Sequence, residues 1–217
     1  VAYAFGLIIA SRFSAMVIGP VMGGVLYDAG GFPLPFLVSG LIFLCLGVLT
    51  MYVGATTPVA SLPPAASISV WRLLRLRGVL MMLLCIFLLW FNVMFLEPCF
   101  EPVLASPPYS LDSTHLGLIL SAATFGMVST MSLSGRLNGI LDPYTQHTIG
   151  FLIVVTALPF LGPTPHFHLQ PHIALFIGAL VLTYIGVGLV GPTQSVLCLR
   201  ILSQAGLSQQ EVASALA

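Results

Sequence analysis

The chain has 217 residues, of which 58% are hydrophobic and only 6% charged, and its mean hydropathy is +1.09. A water-soluble core of this size cannot hide so much apolar surface, so the composition excludes a soluble globular protein and makes the bilayer the natural solvent. Six arginines, no lysine and six acids balance to a formal net charge of 0, which excludes the basic patch or charged tail that nucleic acid would need.

A membrane-spanning helix takes about 20 mainly apolar residues. Six stretches qualify: 2–27, 34–54, 78–98, 114–133, 147–163 and 173–197. Each is too uniformly apolar for the alternation of a barrel strand, so the predicted fold is an all-α membrane protein with six transmembrane helices. A chain that opens on Val1 and stops at Ala217, without a signal-peptide pattern, reads as a piece of a longer protein.

The first span carries Ala15, Gly19 and Gly23 on one helical stripe, along which a neighbouring helix can approach closely, while Pro20 removes a backbone donor and bends the helix. Arg12 falls on the same stripe, so it faces protein or water, and a buried Arg needs a partner. At the rise of an α-helix it sits near mid-membrane, roughly 10 Å below Glu97. If residues 1–12 lie at the interface instead, Arg12 is a snorkelling cytoplasmic anchor.

After the second span comes the longest connection, 55–77. It is rich in Pro, Ala and Ser and then turns basic and amphipathic at Trp71-Arg72-Leu73-Leu74-Arg75-Leu76-Arg77, which predicts a linker followed by an interfacial helix. On the third span, Trp90, Met94, Glu97 and Glu101 share one helical face, an aromatic ring behind two carboxylates. Such a face can take a cation by charge pairing and cation–π contact, and a carboxylate in a low-dielectric cavity also holds a proton more readily. The bland alternative puts Glu97 and Glu101 at the outer interface, with Pro98 and Pro102 ending the helix.

Further along, Ser121 and Thr124 share a face of the fourth span, as do Tyr184, Gly188, Gly191 and Ser195 on the sixth. Either set serves as cavity lining or as helix packing. His166, His168 and His172 form a lone group in the connection before the sixth span, where zinc or pH sensing competes with a plain solvated loop. The four cysteines lack metal-ligand spacing. No metal or cofactor is therefore predicted.

Arginines sort the connections cleanly. Segments 55–77 and 134–146 and the tail from Arg200 carry them, whereas 28–33, 97–113 and 164–172 carry none, which places the first set on the cytoplasmic side.

The string Gly19-Pro20-Val21-Met22-Gly23-Gly24-Val25-Leu26-Tyr27-Asp28, followed by Pro35-Phe36, resembles the fifth-helix signature of major facilitator antiporters, and most closely that of the vesicular amine branch. Leu96-Glu97-Pro98 is similar to the L-E-P element in that branch's seventh helix. The resemblance implies a major-facilitator-type helical bundle in which Gly19, Pro20, Gly23 and Gly24 form a helix-packing motif. It makes 1–54 the last two helices of the first bundle, 55–77 the linker between bundles, and 78–217 the first four helices of the second bundle plus the start of the next. The family's loop element survives only as Gly139-Ile140-Leu141-Asp142, with no basic residue behind it. The tenth-helix Asp of monoamine and acetylcholine carriers is absent from 188–195.

The resemblance therefore implies a secondary transporter rather than an enzyme. The expected activity is proton-coupled antiport of an organic cation, polyamine before monoamine, across a vesicle or plasma membrane, with Glu97, Glu101, Trp90 and Arg12 as candidate substrate- or proton-binding residues. A drug or sugar exporter, a transport-dead homologue and a membrane metalloenzyme built on the histidines are the competing classes.

Overall fold

The computed structural model of the chain describes residues 2–56, 73–107, 109–137, 139–162 and 172–205. Among them the regular structure is helical: α1 (Ala2–Gly30), α2 (Pro33–Thr56), α3 (Arg77–Ala105), α4 (Ser113–Leu137), α5 (Pro143–Ala157) with a 3-10 turn at Leu158–Phe160, and α6 (Ile173–Gln204). Most of the predicted linker, including Trp71 and Arg72, lies outside the described residues.

Two predicted spans change on inspection. Among the described residues five helices, rather than the six expected, are long and apolar enough to cross a membrane. The stretch expected at 147–163 is a helix of 15 residues that starts earlier, at Pro143. Its start is set by Asp142, whose Oδ2 accepts the amide of Tyr144 at 3.1 Å, with proline in the first turn, where its missing N–H costs nothing. Its end falls at Pro159, which has no amide to continue the α ladder, so the chain, with Leu158 still at φ -52 and ψ -43, tightens into the 3-10 turn. The third span, in contrast, runs on to Ala105 through both Pro98 and Pro102. Both prolines are exposed, so each missing donor falls on the outer side of α3 rather than in its packed seam.

Lipid tails are as apolar as leucine, so helix association in a bilayer depends on close packing and hydrogen bonds rather than on escape from water. α6 is the hub: it packs against α3, α4 and α5. Leu180, Val187 and Val190 of α6 form the core with Leu89, Val93 and Leu104 of α3, Met127 of α4 and Val154 of α5. Phe100 and Phe176 meet edge to face with centroids 5.4 Å apart. Glycines admit the closest crossings. A methyl added at Gly186 would lie 2.8 Å from the carbonyl oxygen of Gly150, and one at Gly188 would lie 2.5 Å from that of Met127. α2 packs against α1 and leaves side chains such as Phe43 and Met51 exposed, as hydrocarbon permits.

Arg77, Arg136 and Arg200 share one end of the bundle. Gly78, next to Arg77, packs on Ile201, next to Arg200, and Gln146 Nε2 donates to Ser134 Oγ, close to Arg136. At this end Arg200 Nη1 donates to Asp142 Oδ1 at 2.9 Å, an ion pair about half exposed on each side. Asp142 thus caps α5 and ties it to α6. Asparagine caps as well as aspartate, and exposed ion pairs contribute only about 0–1 kcal/mol. Asp142→Asn should therefore cost less than about 1 kcal/mol, whereas Asp142→Ala should cost about 1–2 kcal/mol more. Thermal unfolding of the detergent-solubilised protein checks the difference.

The opposite end holds Asp28, Asp112 and His172. The Asp28 carboxylate reaches the first turn of α4, accepting the amide of Thr114 at 2.7 Å and its hydroxyl at 2.5 Å. Asp112 accepts the amide of His115 at 2.9 Å and also contacts the His115 ring. That amide bond, foremost, holds the Asp112 carboxyl below the usual carboxylate range. The depressed value means the cap persists through mild acid and is lost only as pH falls through it. His172 caps α6, its Nδ1 accepting the amide of Ala174 at 3.3 Å.

Candidate functional site

The stripe of Gly19 and Gly23, expected to face a neighbouring helix, is not the one that meets α4 among the described residues. A methyl at either position would meet nothing within 4 Å. The close approach is made one step round the helix. At Gly24 an added methyl would lie 2.3 Å from the carbonyl oxygen of Ser113, and at Gly117 it would lie 2.3 Å from the carbonyl oxygen of Pro20. The α1–α4 crossing thus brings backbone against backbone, with Gly24 and Gly117 as the two glycines that permit it. Small-residue spacing alone could not tell adjacent stripes apart, because Gly23 and Gly24 are both glycine.

That crossing leaves room beside it. A cavity of about 280 Å³ opens between α1, α3 and α4, with Gly23, Gly24 and Tyr27 on one wall and Glu97, Phe100 and Glu101 on another. Its lining includes two carboxylates and no Arg or Lys. The two acids share a face because they are one turn apart, about 6 Å along the axis. At the cavity Tyr184 Oη donates to Glu97 Oε1 at 2.9 Å. Tyr184 is 5% exposed and belongs to the α6 core, so one oxygen of Glu97 is fixed by a buried, rigid donor. Glu97 itself remains accessible. The geometry is that of a carboxylate held in place from behind and open in front, beside a second carboxylate and two aromatic rings.

Two other sequence candidates are not part of it. Trp90 is half-buried two turns toward the arginine end of α3 and does not line this cavity. The aromatic group behind Glu97 is Tyr184, which α6 supplies, rather than a residue of Glu97's own helix. Arg12 lines a different cavity, of about 850 Å³, between α1, α4 and α6. Residues 12 and 24 of one helix are about 18 Å apart, so Arg12 lies well below the acidic cavity.

Ser121 and Thr124 are buried between helices and line neither cavity, with Thr124 Oγ1 donating to the Leu120 carbonyl at 2.8 Å. Gly191 and Ser195 line the Arg12 cavity. His166 and His168 lie outside the described residues, and among the described residues no group of three His, Cys, Asp or Glu is placed to hold a metal. Sequence reasoning named Tyr184 only as one member of a polar stripe. The signal that could have singled it out is that a tyrosine buried in a membrane helix needs an acceptor, and acids are scarce here.

Comparison with known proteins adds three findings. The family model described as Major Facilitator Superfamily matches residues 1–216. The chain is similar to proteins named MFS-type transporter SLC18B1: 27% identical over 182 residues in Mus musculus and 27% over 180 residues in Homo sapiens. Each alignment covers 80% of this chain but only 38% of the relative, so the chain spans well under half the length of the proteins it matches. No solved structure matches.

Proposed function

This chain belongs to the Major Facilitator Superfamily, and on that premise we propose that it is part of a secondary transporter that exchanges protons for an organic cation. It is an integral, multi-pass membrane protein. The observation that carries the proposal is the acidic cavity at the α1–α4 crossing, with Glu97 anchored by Tyr184.

In this reading, Glu97 is occupied in turn by a proton and by the ammonium group of the substrate. The phenol of Tyr184 donates to the carboxylate, so it holds the site open for a cation once the proton has left. Glu101, about one turn away, supplies a second negative charge. Two carboxylates at that spacing suit a cation with two or more amino groups, which favours a polyamine over a monoamine. Tyr27 and Phe100 flank the methylene chain.

The bundle assignment places α1 and α2 in the first half of the protein and α3 to α6 in the second. The α1–α4 crossing then lies between the halves, where rocking of one bundle against the other opens either side of the cavity in turn. Gly24 and Gly117 allow that seam to close fully, and the Asp28–Thr114 bonds clasp it at the end away from the arginines. The membrane is that of a vesicle or the cell surface.

The test is uptake of a labelled polyamine by proteoliposomes containing the full-length protein, with an acid interior. The proposal expects concentrative uptake that collapses when a protonophore removes the gradient. Uptake that ignores the gradient would leave a facilitator in place of an antiporter.

A further inference from the structure

The larger cavity is unrelated to the acidic one in both position and charge. It holds about 850 Å³ between α1, α4 and α6, within the range of small-molecule pockets. Among its described lining residues, Arg12 is the single charged group. Phe13, Phe125, Met131 and Pro192 make the wall apolar, and the Ser195 hydroxyl also faces it. No described acid pairs with Arg12: Asp142 is engaged by Arg200, and Asp28, Glu97, Glu101 and Asp112 all belong to the opposite half of the bundle. Arg12 is itself exposed, so its guanidinium is open to an anionic group rather than held by a carboxylate of the described residues.

We propose that this inner cavity is a binding site for an amphipathic organic anion, in which Arg12 grips a carboxylate, sulfonate or phosphate head and the aromatic wall takes the apolar body. The planar fork of Arg suits a two-oxygen anionic head. A protonated amine would be repelled here, so the site goes beyond the cation exchange assigned to Glu97 and stands or falls independently of it. The anion arises either from solution or from the headgroup of an acidic lipid, and the chemistry at Arg12 is the same.

The experiment measures binding of tritiated naphthalene-2-sulfonate to the full-length protein in phosphatidylcholine nanodiscs. Saturable binding is expected, weakened at least about tenfold in Arg12→Gln, as loss of a charged hydrogen bond predicts, and weakened less in Arg12→Lys. Val128→Trp, which keeps Arg12 but fills the cavity, should also abolish binding and guards against a misfolded Arg12 variant. Glu97→Gln should bind the sulfonate as the unaltered protein does. A second series adds phosphatidylglycerol to the discs. Competition with the sulfonate identifies a lipid headgroup as the occupant, and no competition identifies a soluble anion. The proposal is overturned if the unaltered protein does not bind the sulfonate, if Arg12→Gln binds it equally well, or if neutral naphthalene-2-sulfonamide binds as tightly.

Discussion

Glu97→Gln is expected to reduce gradient-driven polyamine uptake by the full-length protein to the level of protein-free vesicles. The substitution is nearly isosteric, and the amide oxygen still accepts the hydroxyl of Tyr184, so the α3–α6 contact survives. What disappears is the negative charge and the ability to trade it for a proton. Thermal stability should therefore stay close to that of the unaltered protein while transport is lost, a separation that a merely structural Glu97 would not give. Tyr184→Phe asks a gentler question. It removes a hydrogen bond to a charged group, worth about 1.5–3 kcal/mol, which corresponds to roughly a 10- to 100-fold loss of transport. If Tyr184→Phe transports normally, the anchoring role of the phenol is wrong even if Glu97 is right.

Gly24→Val should be the most damaging change to assembly. Even a methyl there would come 2.3 Å from the carbonyl oxygen and 2.8 Å from the carbonyl carbon of Ser113, and both belong to backbone that cannot rotate away. Overpacking of this kind costs about 1–3 kcal/mol and forces the α1–α4 seam apart. Gly117→Ala repeats the clash from the other side, against Pro20. Gly19→Ala is the control. Its methyl meets nothing within 4 Å, and alanine favours a helix over glycine by about 1 kcal/mol, so it should be tolerated or mildly stabilising. Melting curves of the solubilised variants check the contrast. Equal damage at Gly19 and Gly24 would mean that the motif acts through flexibility rather than through this crossing.

Much of the architecture is legible in the residues because a bilayer leaves the chain few choices. Long apolar runs must be helices, and loop arginines gather at one end, so the helical class and the direction of the spans follow from composition. The fifth helix was harder. Its hydropathy suggested a full span, but Asp142 with Pro143 at one end and Pro159 at the other decide its limits. Prolines misled in the opposite sense in α3, where Pro98 and Pro102 look like stops but lie on an exposed side that tolerates them.

The candidate site was half visible. Glu97 and Glu101 stand out because acids are rare in this chain, and their shared face follows from their spacing. Their surroundings could not be read the same way. Trp90 lies on that face of α3, yet the group touching Glu97 comes from α6, 87 positions along the chain. Arg12 and Gly24 are placed by how α1 rotates against α4, which helical periodicity does not specify.

The central claim is that one carboxylate serves proton and substrate in turn, and substrate-induced infrared difference spectroscopy on the full-length protein tests it most directly. Adding a polyamine should remove a protonated-carboxyl band and create a carboxylate band, and Glu97→Gln should lack both. If the band pair persists in Glu97→Gln, or if substrate binds the unaltered protein without displacing a carboxyl proton, Glu97 does not couple the two ions.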